Sequence, residues 1–201
     1  MNIQTVTKKI LPLFEKFKNE ENIEFEIRFG KFNGSFFDTN VGHENFNKLL
    51  DGLRKYDGWE SVTEKSYDSF YNDEHGVRLN VDDDTEEQVQ IKKMKIHNED
   101  FKRYKNTPHD VRFSFSKEIP VEGDFIMDRK RSKRRVSFLR KNLSIDLTES
   151  TGDTEDMDSE ESVSYQVELE VVDPNKVENR DQLFNIINKI NDLFKLLPNN
   201  K

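Results

Sequence analysis

Cysteine is absent from the 201 residues of the chain. The chain can therefore form no disulfide, no zinc–thiolate site and no cysteine nucleophile, which excludes the cysteine-dependent phosphatases. No apolar run approaches the roughly 18 residues of a membrane-spanning helix. The N-terminal segment, interrupted by Lys8 and Lys9, also lacks the continuous apolar core of a signal peptide. We therefore expect an intracellular protein that has no membrane partner.

Histidine is scarce as well, and its spacing predicts no metal centre. The histidines form no HxH or HExxH pattern, so zinc or copper sites built on such ligands are not indicated. A GxxxxGK[ST] phosphate loop is also missing, which argues against a P-loop nucleotidase. We expect only surface positions or local hydrogen bonds for the four histidines, His43, His75, His97 and His109.

Charge and aromatic content favour opposite interpretations of the composition. Charged residues make up 36% of the chain, hydrophobic residues 33%, and the mean hydropathy is -0.92, values that would suit a disordered protein. However, 16 Phe, 5 Tyr and 1 Trp can bury a large area per residue. Because no Pro/Gly-rich linker divides the chain, we predict a single folded domain spanning residues 1–201. The net charge of -8 does not indicate a nucleic-acid partner, but it averages over local patches of both signs.

Apolar residues at helical spacing predict three amphipathic helices. They cover residues 4–18, 44–53 and 183–197. Asn179 or Asp181 can cap the start of the third helix, and Pro198 can end it. We expect all three apolar stripes to pack on a core.

Between the second and third helices, apolar residues recur at every second position, which predicts strands. With an opening strand, about eight are predicted, at residues 23–32, 59–72, 76–82, 87–97, 109–119, 132–140, 142–149 and 162–172. The short connections favour antiparallel pairing. We therefore predict an α+β, mainly β fold: an eight-stranded antiparallel closed barrel with the helices outside.

One segment, residues 148–162, is strongly acidic. It carries seven acidic residues and no basic residue between Glu149 and Glu161. We interpret it as a solvated, mobile hairpin loop rather than a site.

Two of the predicted strands carry a pair of carboxylates on one face. In IEFEIRFG, Glu24 and Glu26 alternate with apolar residues. In YQVELEVV, Glu168 and Glu170 do the same. Such neighbours lie about 7 Å apart and repel unless a cation screens them, so two such strands indicate a shared cation. Oxygen donors without histidine or cysteine favour Mg²⁺ or Mn²⁺.

The basic counterpart is the segment RKRSKRRVSF, with six positive side chains from Arg129 to Arg135. Alone, it would equally suit a solvated basic edge or a polybasic signal. In a strand, however, Lys133 and Arg135 share one face. Polar residues share one face of three further strands: Arg78 and Asn80; Arg112, Ser114, Ser116 and Glu118; and Ser144, Asp146 and Thr148.

The predicted barrel could close with its polar face outward or inward. Outward closure leaves a very small barrel with a Phe-rich interior, whereas inward closure gives a polar tunnel whose apolar outside is covered by the helices. Carboxylates on one side of a tunnel and Lys and Arg on the other match a metal-bound polyphosphate. The carboxylates would hold the metal, and the cations would stabilise the charge that shifts during in-line attack.

At these residues the chain resembles the RNA triphosphatases of the triphosphate tunnel metalloenzyme superfamily, the metal-dependent first enzymes of mRNA capping in fungi, protists and large DNA viruses. The resemblance extends from Ile23 to Val172 and is greatest to the compact viral enzymes. It is carried by the order and spacing of IEFEIRFG, SKRRVSF followed by SIDLT, and YQVELEV. It implies an eight-stranded barrel around a hydrophilic tunnel, and removal of the γ-phosphate of 5′-triphosphate RNA with Mg²⁺ or Mn²⁺.

The resemblance also implies roles for individual residues. The implied metal ligands are Glu24, Glu26 and Glu170, with Glu168 orienting a metal-bound water. The implied phosphate contacts are Arg78, Lys93, Lys133 and Arg135, with Lys95 as an alternative to Lys93. The implied guide of the attacking water is Glu118, supported by Asp146 and Thr148.

Two positions depart from the family pattern. A basic residue often stands where this chain has Ser144, and a third glutamate often stands where it has Gln166. Because Gln166 adds no negative charge, metal affinity and the range of substrates stay open. Arg140 or Lys141 would replace the missing base only if the backbone bulges.

Partners and alternatives follow from the same resemblance. The expected partners are 5′-triphosphate RNA, nucleoside triphosphates and a guanylyltransferase, and the expected location is the nucleus or a viral factory. A second interpretation is an inorganic tripolyphosphatase or another small-triphosphate hydrolase. A third is a non-catalytic RNA- or partner-binding module that uses the basic run, for which steeply salt-dependent RNA binding is expected.

Overall fold

The computed structural model describes residues 1–103, 107–152 and 162–197. Within these residues the chain forms three α helices, nine strands and a short 3₁₀ helix, Pro174–Lys176. The helices are α1 (Ile3–Phe17), α2 (His43–Arg54) and α3 (Arg180–Phe194). The strands are β1 (Ile23–Asn33), β2 (Phe36–Asp38), β3 (Ser61–Asn72), β4 (Val77–Asp82), β5 (Gln88–Phe101), β6 (Asp110–Pro120), β7 (Arg129–Arg140), β8 (Leu143–Gly152) and β9 (Val163–Val171).

Eight of these strands form a closed antiparallel barrel. Around the ring the order is β1, β6, β5, β4, β3, β7, β8 and β9, and the pairing of β1 with β9 closes it. The three-residue β2 forms a hairpin with β1 outside the ring. The predicted closed eight-stranded barrel with flanking helices is therefore confirmed.

Some strands are longer than predicted because pairing continues through charged residues. β7 begins at Arg129, where it pairs with Tyr71 of β3, and not at residue 132. β5 extends to Phe101, which pairs with Val111 of β6. β2 was not predicted because three residues are too few to reveal an alternating pattern.

The acidic segment is only partly described. Residues 148–152 belong to β8 and not to a loop. Residues 153–161, which carry most of its acidic side chains, lie outside the described residues, as does Pro198, the predicted end of the third helix.

The apolar face of the barrel packs under the helices. Phe25 and Phe29 of β1 are fully buried. Phe25 contacts Phe14 of α1 with ring centroids 5.0 Å apart, and Phe29 contacts Phe194 of α3 at 4.8 Å. Burial of a Phe side chain stabilises the fold by about 1.5 to 3 kcal/mol. Because the glutamates of β1 alternate with these rings, the same packing keeps the glutamates on the opposite face of the strand.

Asparagine side chains cap the two longest helices. Asn2 Oδ1 accepts a hydrogen bond from the Thr5 N–H at 3.1 Å, and Asn179 Oδ1 accepts one from the Gln182 N–H at 3.0 Å. Of the two predicted caps for α3, Asn179 and not Asp181 occupies the position. Each cap stabilises its helix by about 1 kcal/mol. No helix in the described residues has both the length and the apolar character needed to cross a membrane.

His109 is fully buried, although the sequence predicts at most a local role for it. Its ring stacks on Phe29 with centroids 6.3 Å apart, and its Nε2 lies 3.3 Å from Asn45 Nδ2. Its Nδ1 has no hydrogen-bond partner within the described residues. Burial lowers the pKa of His109 to about 4, and the positive charge of Lys31 adds to this effect.

We predict that His109 makes stability depend on pH. The unfolded imidazole takes up a proton near pH 6.5, but the folded one only near pH 4. The neutral His109 therefore makes its full contribution to the free energy of unfolding above pH 6.5. This free energy falls by up to about 3 kcal/mol as the pH drops toward 4. His109→Phe keeps an aromatic ring and should flatten this slope in urea denaturation at pH 7, 6 and 5. Identical slopes for parent and variant would contradict the prediction.

Candidate active site

The polar faces of the barrel strands enclose a cavity of about 490 Å³, called the tunnel below. Nine of the predicted site residues line it, and two others, Asp146 and Thr148, contact Arg135 in its wall. The nine are Glu24, Glu26, Arg78, Lys93, Glu118, Lys133, Arg135, Glu168 and Glu170. The barrel therefore closes with its charged face inward.

The register of the closing pair brings the two acidic strands together. Glu26 of β1 lies opposite Glu170 of β9, and Arg28 lies opposite Glu168. Side chains directly opposite each other in antiparallel strands have Cβ atoms about 5 Å apart. The carboxylates predicted to share a cation are neighbours in the structure, while their role as ligands stays a prediction.

Lys93 forms ion pairs with three carboxylates of the tunnel. Its Nζ lies 2.7 Å from Glu24 Oε2, 3.6 Å from Glu26 Oε1 and 3.4 Å from Glu118 Oε1. These negative charges raise the pKa of Lys93 despite its burial. Lys95, the alternative, also lines the tunnel but is exposed beside a bulge between Lys95 and His97. The bulge explains why β5 alternates poorly in the sequence.

Burial and mutual repulsion shift the pKa values of the carboxyl groups. Burial, followed by the charge of Glu26, raises the pKa of Glu24 to about 7. Burial, followed by the charge of Glu24, raises the pKa of Glu170 to about 8. Burial opposes the charge of Glu26 too, but Arg28 and Lys93 outweigh it and lower its pKa to about 2. At neutral pH, the Lys and Arg side chains of the tunnel thus do not keep all of its carboxyl groups fully ionised.

The contacts of the same carboxylates indicate how well they could hold a metal ion. No group of three or more His, Cys, Asp or Glu side chains within the described ranges is arranged to hold one. Lys93 and Arg28 contact carboxylate oxygens that a metal would use. The donor chemistry nevertheless fits a hard divalent cation, because all donors are oxygens and because burial, together with repulsion from neighbouring carboxylates, raises the pKa values of Glu24 and Glu170. A cation would favour their ionised forms.

Arg28 is a site residue to which the sequence analysis assigned no role. Its Nε donates a hydrogen bond to Glu26 Oε1 at 2.8 Å and lies 3.7 Å from Glu168 Oε1. The signal was present, because Arg28 shares the alternating face of Glu24 and Glu26. It joins the first and last strands electrostatically at their closing pair.

Arg135 is held by groups from two neighbouring strands. Its Nε donates to Thr148 Oγ1 at 2.9 Å, and its guanidinium lies 3.6 Å from Asp146 Oδ2 and 3.3 Å from Glu168 Oε2. Asp146 and Thr148 thus both contact Arg135, and the support of Glu118 by these two residues stays a prediction.

Glu118 of β6 is held by two cations on the strands that follow it around the ring, β5 and β4. Arg78 Nη2 donates to Glu118 Oε1 at 3.0 Å, and Lys93 Nζ approaches the same oxygen. The two implied phosphate contacts on β4 and β5 thus meet at one carboxylate.

Strand alternation divides the basic run of β7 between two faces. On the exposed face, Lys130 forms an ion pair with Asp68, and Arg134 forms one with Glu64. The alternate residues are turned to the interior, namely Arg129, Arg131, Lys133 and Arg135. Because the run forms no continuous exposed basic patch, the structure weighs against a surface RNA-binding module.

The two departures from the family pattern have local partners. Ser144 Oγ donates to Asp146 Oδ1 at 2.6 Å. The buried Gln166 donates from Nε2 to Thr39 Oγ1 at 3.0 Å. The possible replacements for the missing base are Arg140 and Lys141. Both line a separate groove beside α3 and do not reach the tunnel.

Comparison with protein families decides the assignment. A family model described as "mRNA capping enzyme, beta chain" matches residues 34–201. The chain belongs to this family. It is therefore an RNA triphosphatase of mRNA capping, which confirms the resemblance read from its sequence. The first strand, with Glu24 and Glu26, lies before the matched residues.

Solved structures share the fold of this RNA triphosphatase. The structure of the S. pombe Pct1 RNA triphosphatase has 16% sequence identity and a TM-score of 0.76, and the match covers 98% of this chain and 93% of Pct1. Pct1 in complex with the Spt5 CTD gives 17% identity, a TM-score of 0.75 and the same coverage. At such identities the likeness shows the fold alone. Comparison with curated proteins gives no match.

We predict that, without added metal, Arg28→Met lowers the free energy of unfolding of this RNA triphosphatase by about 3 kcal/mol. The reason is that the buried carboxylate of Glu26 loses the guanidinium beside it and keeps only Lys93 as a close cation. The double variant Arg28→Met/Glu26→Gln should recover most of the loss. Urea denaturation measures both, and Arg54→Met on the exposed face of α2 is the matched control. A double variant no more stable than the single one would show that Arg28 does not act through Glu26.

Proposed function

We propose that this RNA triphosphatase hydrolyses the γ-phosphate of 5′-triphosphate RNA, leaving a 5′-diphosphate end and inorganic phosphate, with Mg²⁺ or Mn²⁺ as cofactor. A water oxygen bonds to the γ-phosphorus while the bond to the β–γ bridging oxygen breaks. The bridging oxygen leaves with the electron pair, and the water loses a proton. The observation that supports this proposal best is that Glu26 and Glu170 lie opposite each other in one closed tunnel, where Glu170 also interacts electrostatically with Arg135.

Glu24, Glu26 and Glu170 are the residues that would hold the metal. Their oxygens are the ligands that Mg²⁺ and Mn²⁺ prefer. When bound, the cation supplies Lewis-acid stabilisation of the charge on the phosphate oxygens.

The remaining cations bind and orient the triphosphate. Lys93 and Arg78 act from β5 and β4, and Lys133 and Arg135 act from β7. Their positive charges stabilise the negative charge that moves onto the leaving oxygen in the transition state. Thr148 and Asp146 fix the guanidinium of Arg135 for this task.

Two carboxylates orient the attacking water. Glu118 is held by Arg78 and Lys93, and Glu168 is held by Arg28 and Arg135. Either carboxylate can accept a hydrogen bond from the water and turn the oxygen lone pair of that water toward phosphorus.

The wider context of the activity is also proposed. Residues 1–201 act as one catalytic domain, which accepts nucleoside triphosphates with Mn²⁺ as well as RNA. A guanylyltransferase consumes the diphosphate end, in the nucleus or in a viral factory. The support is the place of the family in mRNA capping; the relative Pct1 forms a complex with the Spt5 CTD.

We predict that Glu26→Ala and Glu170→Ala each lower phosphate release by about 100-fold or more, because each removes a charge from the proposed metal site. Release of γ-labelled phosphate from triphosphate RNA is measured with and without Mg²⁺ or Mn²⁺. The matched control is Glu64→Ala, which removes an exposed glutamate of β3. Urea denaturation shows whether each variant is folded.

The outcomes separate the candidate functions. Full activity in a folded Glu26 or Glu170 variant contradicts the metal-site assignment. Because the tunnel encloses contacts suited to phosphate groups, a small-triphosphate hydrolase is the second candidate, and it is favoured if the parent turns over tripolyphosphate much faster than RNA.

A further inference from the structure

Lys133 differs from the arginines of the tunnel wall in how its charge is balanced. Each of these arginines is paired with a carboxylate, namely Arg28 with Glu26, Arg78 with Glu118, Arg112 with Asp100, Arg129 with Asp73 and Arg135 with Glu168. Within the described residues, Lys133 forms no such ion pair. Its ammonium instead lies over the aromatic ring of Tyr71, with Nζ 5.5 Å from the ring centroid.

Tyr71 is itself held firmly at the tunnel wall. It lies opposite Arg129 in the pairing of β3 with β7, and the guanidinium carbon of Arg129 is 4.2 Å from its ring centroid. Two hydrogen bonds of 2.9 Å tie Arg129 to the carboxylate of Asp73. The Arg129 side chain is buried, whereas that of Asp73 is half exposed.

An aromatic ring holds a cation without cancelling its charge. A carboxylate beside Lys133 would compete with phosphate for the ammonium, whereas the ring attracts it through its quadrupole and leaves the N–H donors available. Lys133 would then meet a phosphate with its full charge and a restricted position, and less ordering would be required on binding.

We infer that Tyr71 is a positioning residue that holds Lys133 ready for the terminal phosphate, and that the Arg129–Asp73 pair fixes its ring. This inference rests on the proposed function, because it takes Lys133 as a phosphate contact. Stacking of Tyr71 on an RNA base is a different use of the ring, and it is disfavoured because the guanidinium of Arg129 already covers the ring.

The test compares two substitutions of Tyr71. Tyr71→Leu removes the ring, and Tyr71→Phe keeps it. Cation–π contacts of this kind correspond to about a 3- to 30-fold effect, so Tyr71→Leu should weaken tripolyphosphate binding in calorimetry and lower kcat/KM for triphosphate RNA by that factor. Tyr71→Phe should restore both. The matched control is Phe70→Leu, which removes the neighbouring ring under the outward Lys130 and should have little effect.

Coupling to Lys133 distinguishes positioning from a general structural effect. In a Lys133→Ala background, Tyr71→Leu should cause no further loss, because the group that it positions is gone. A merely structural role would lower binding equally with and without Lys133, and this result would overturn the inference. A loss seen with RNA but not with tripolyphosphate would also overturn it, since it would indicate contact with the nucleoside.

The inference and the proposed function fail in different ways. If the parent releases phosphate from RNA but Tyr71→Leu matches it in binding and turnover, only the inference is wrong. If the parent binds tripolyphosphate with the predicted dependence on Tyr71 but does not hydrolyse RNA, only the proposed function is wrong. No binding of tripolyphosphate by the parent would contradict the inference as well.

Discussion

The structure depends on keeping several largely buried carboxylates close together in one tunnel. Two unit charges 4 Å apart at an effective dielectric constant of 20 interact by about 4 kcal/mol. The cluster around Glu26 would be strongly unfavourable without Lys93 and Arg28, whose charges hold the pKa of Glu26 near 2. Burial and the charges of neighbouring carboxylates instead raise the pKa values of Glu24 and Glu170. Under the proposed function, a bound divalent cation would supply the positive charge that favours their ionised forms.

The fold and the site are fixed by one alternating pattern. On β1, Phe25 and Phe29 face the helices while Glu24 and Glu26 face the tunnel. A shift of one residue in strand pairing would put charges under the helices and phenylalanines in the tunnel. The burial of the aromatic rings therefore specifies the register that places the charged side chains in the tunnel. Substitutions in the apolar layer should disturb activity as well as stability.

Much of this architecture could be predicted from the sequence because it depends on short-range alternation. Period-two patterns located the barrel strands and separated the inward Lys133 and Arg135 from the outward Arg134. The contacts between strands were harder to predict, since they depend on register. The bulge at Lys95 and His97 and the pairing of Asp146 with Arg135 depend on how neighbouring strands align, which the alternation within one strand does not show. The burial of His109, just before β6, likewise depends on Phe29, which lies on β1 and is distant in sequence.

The pairing of β1 with β9 joins segments about 140 residues apart in the chain. Contacts between residues so far apart in sequence form late, because the entropy cost of closing the long loop comes before the favourable energy of the contacts. A nascent chain can build the hairpins from β3 to β8 early, but Glu26 and Glu170 come together only when the last strand seals the ring. Catalytic competence is thus a property of the fully folded molecule, and folding intermediates should be inert toward triphosphates.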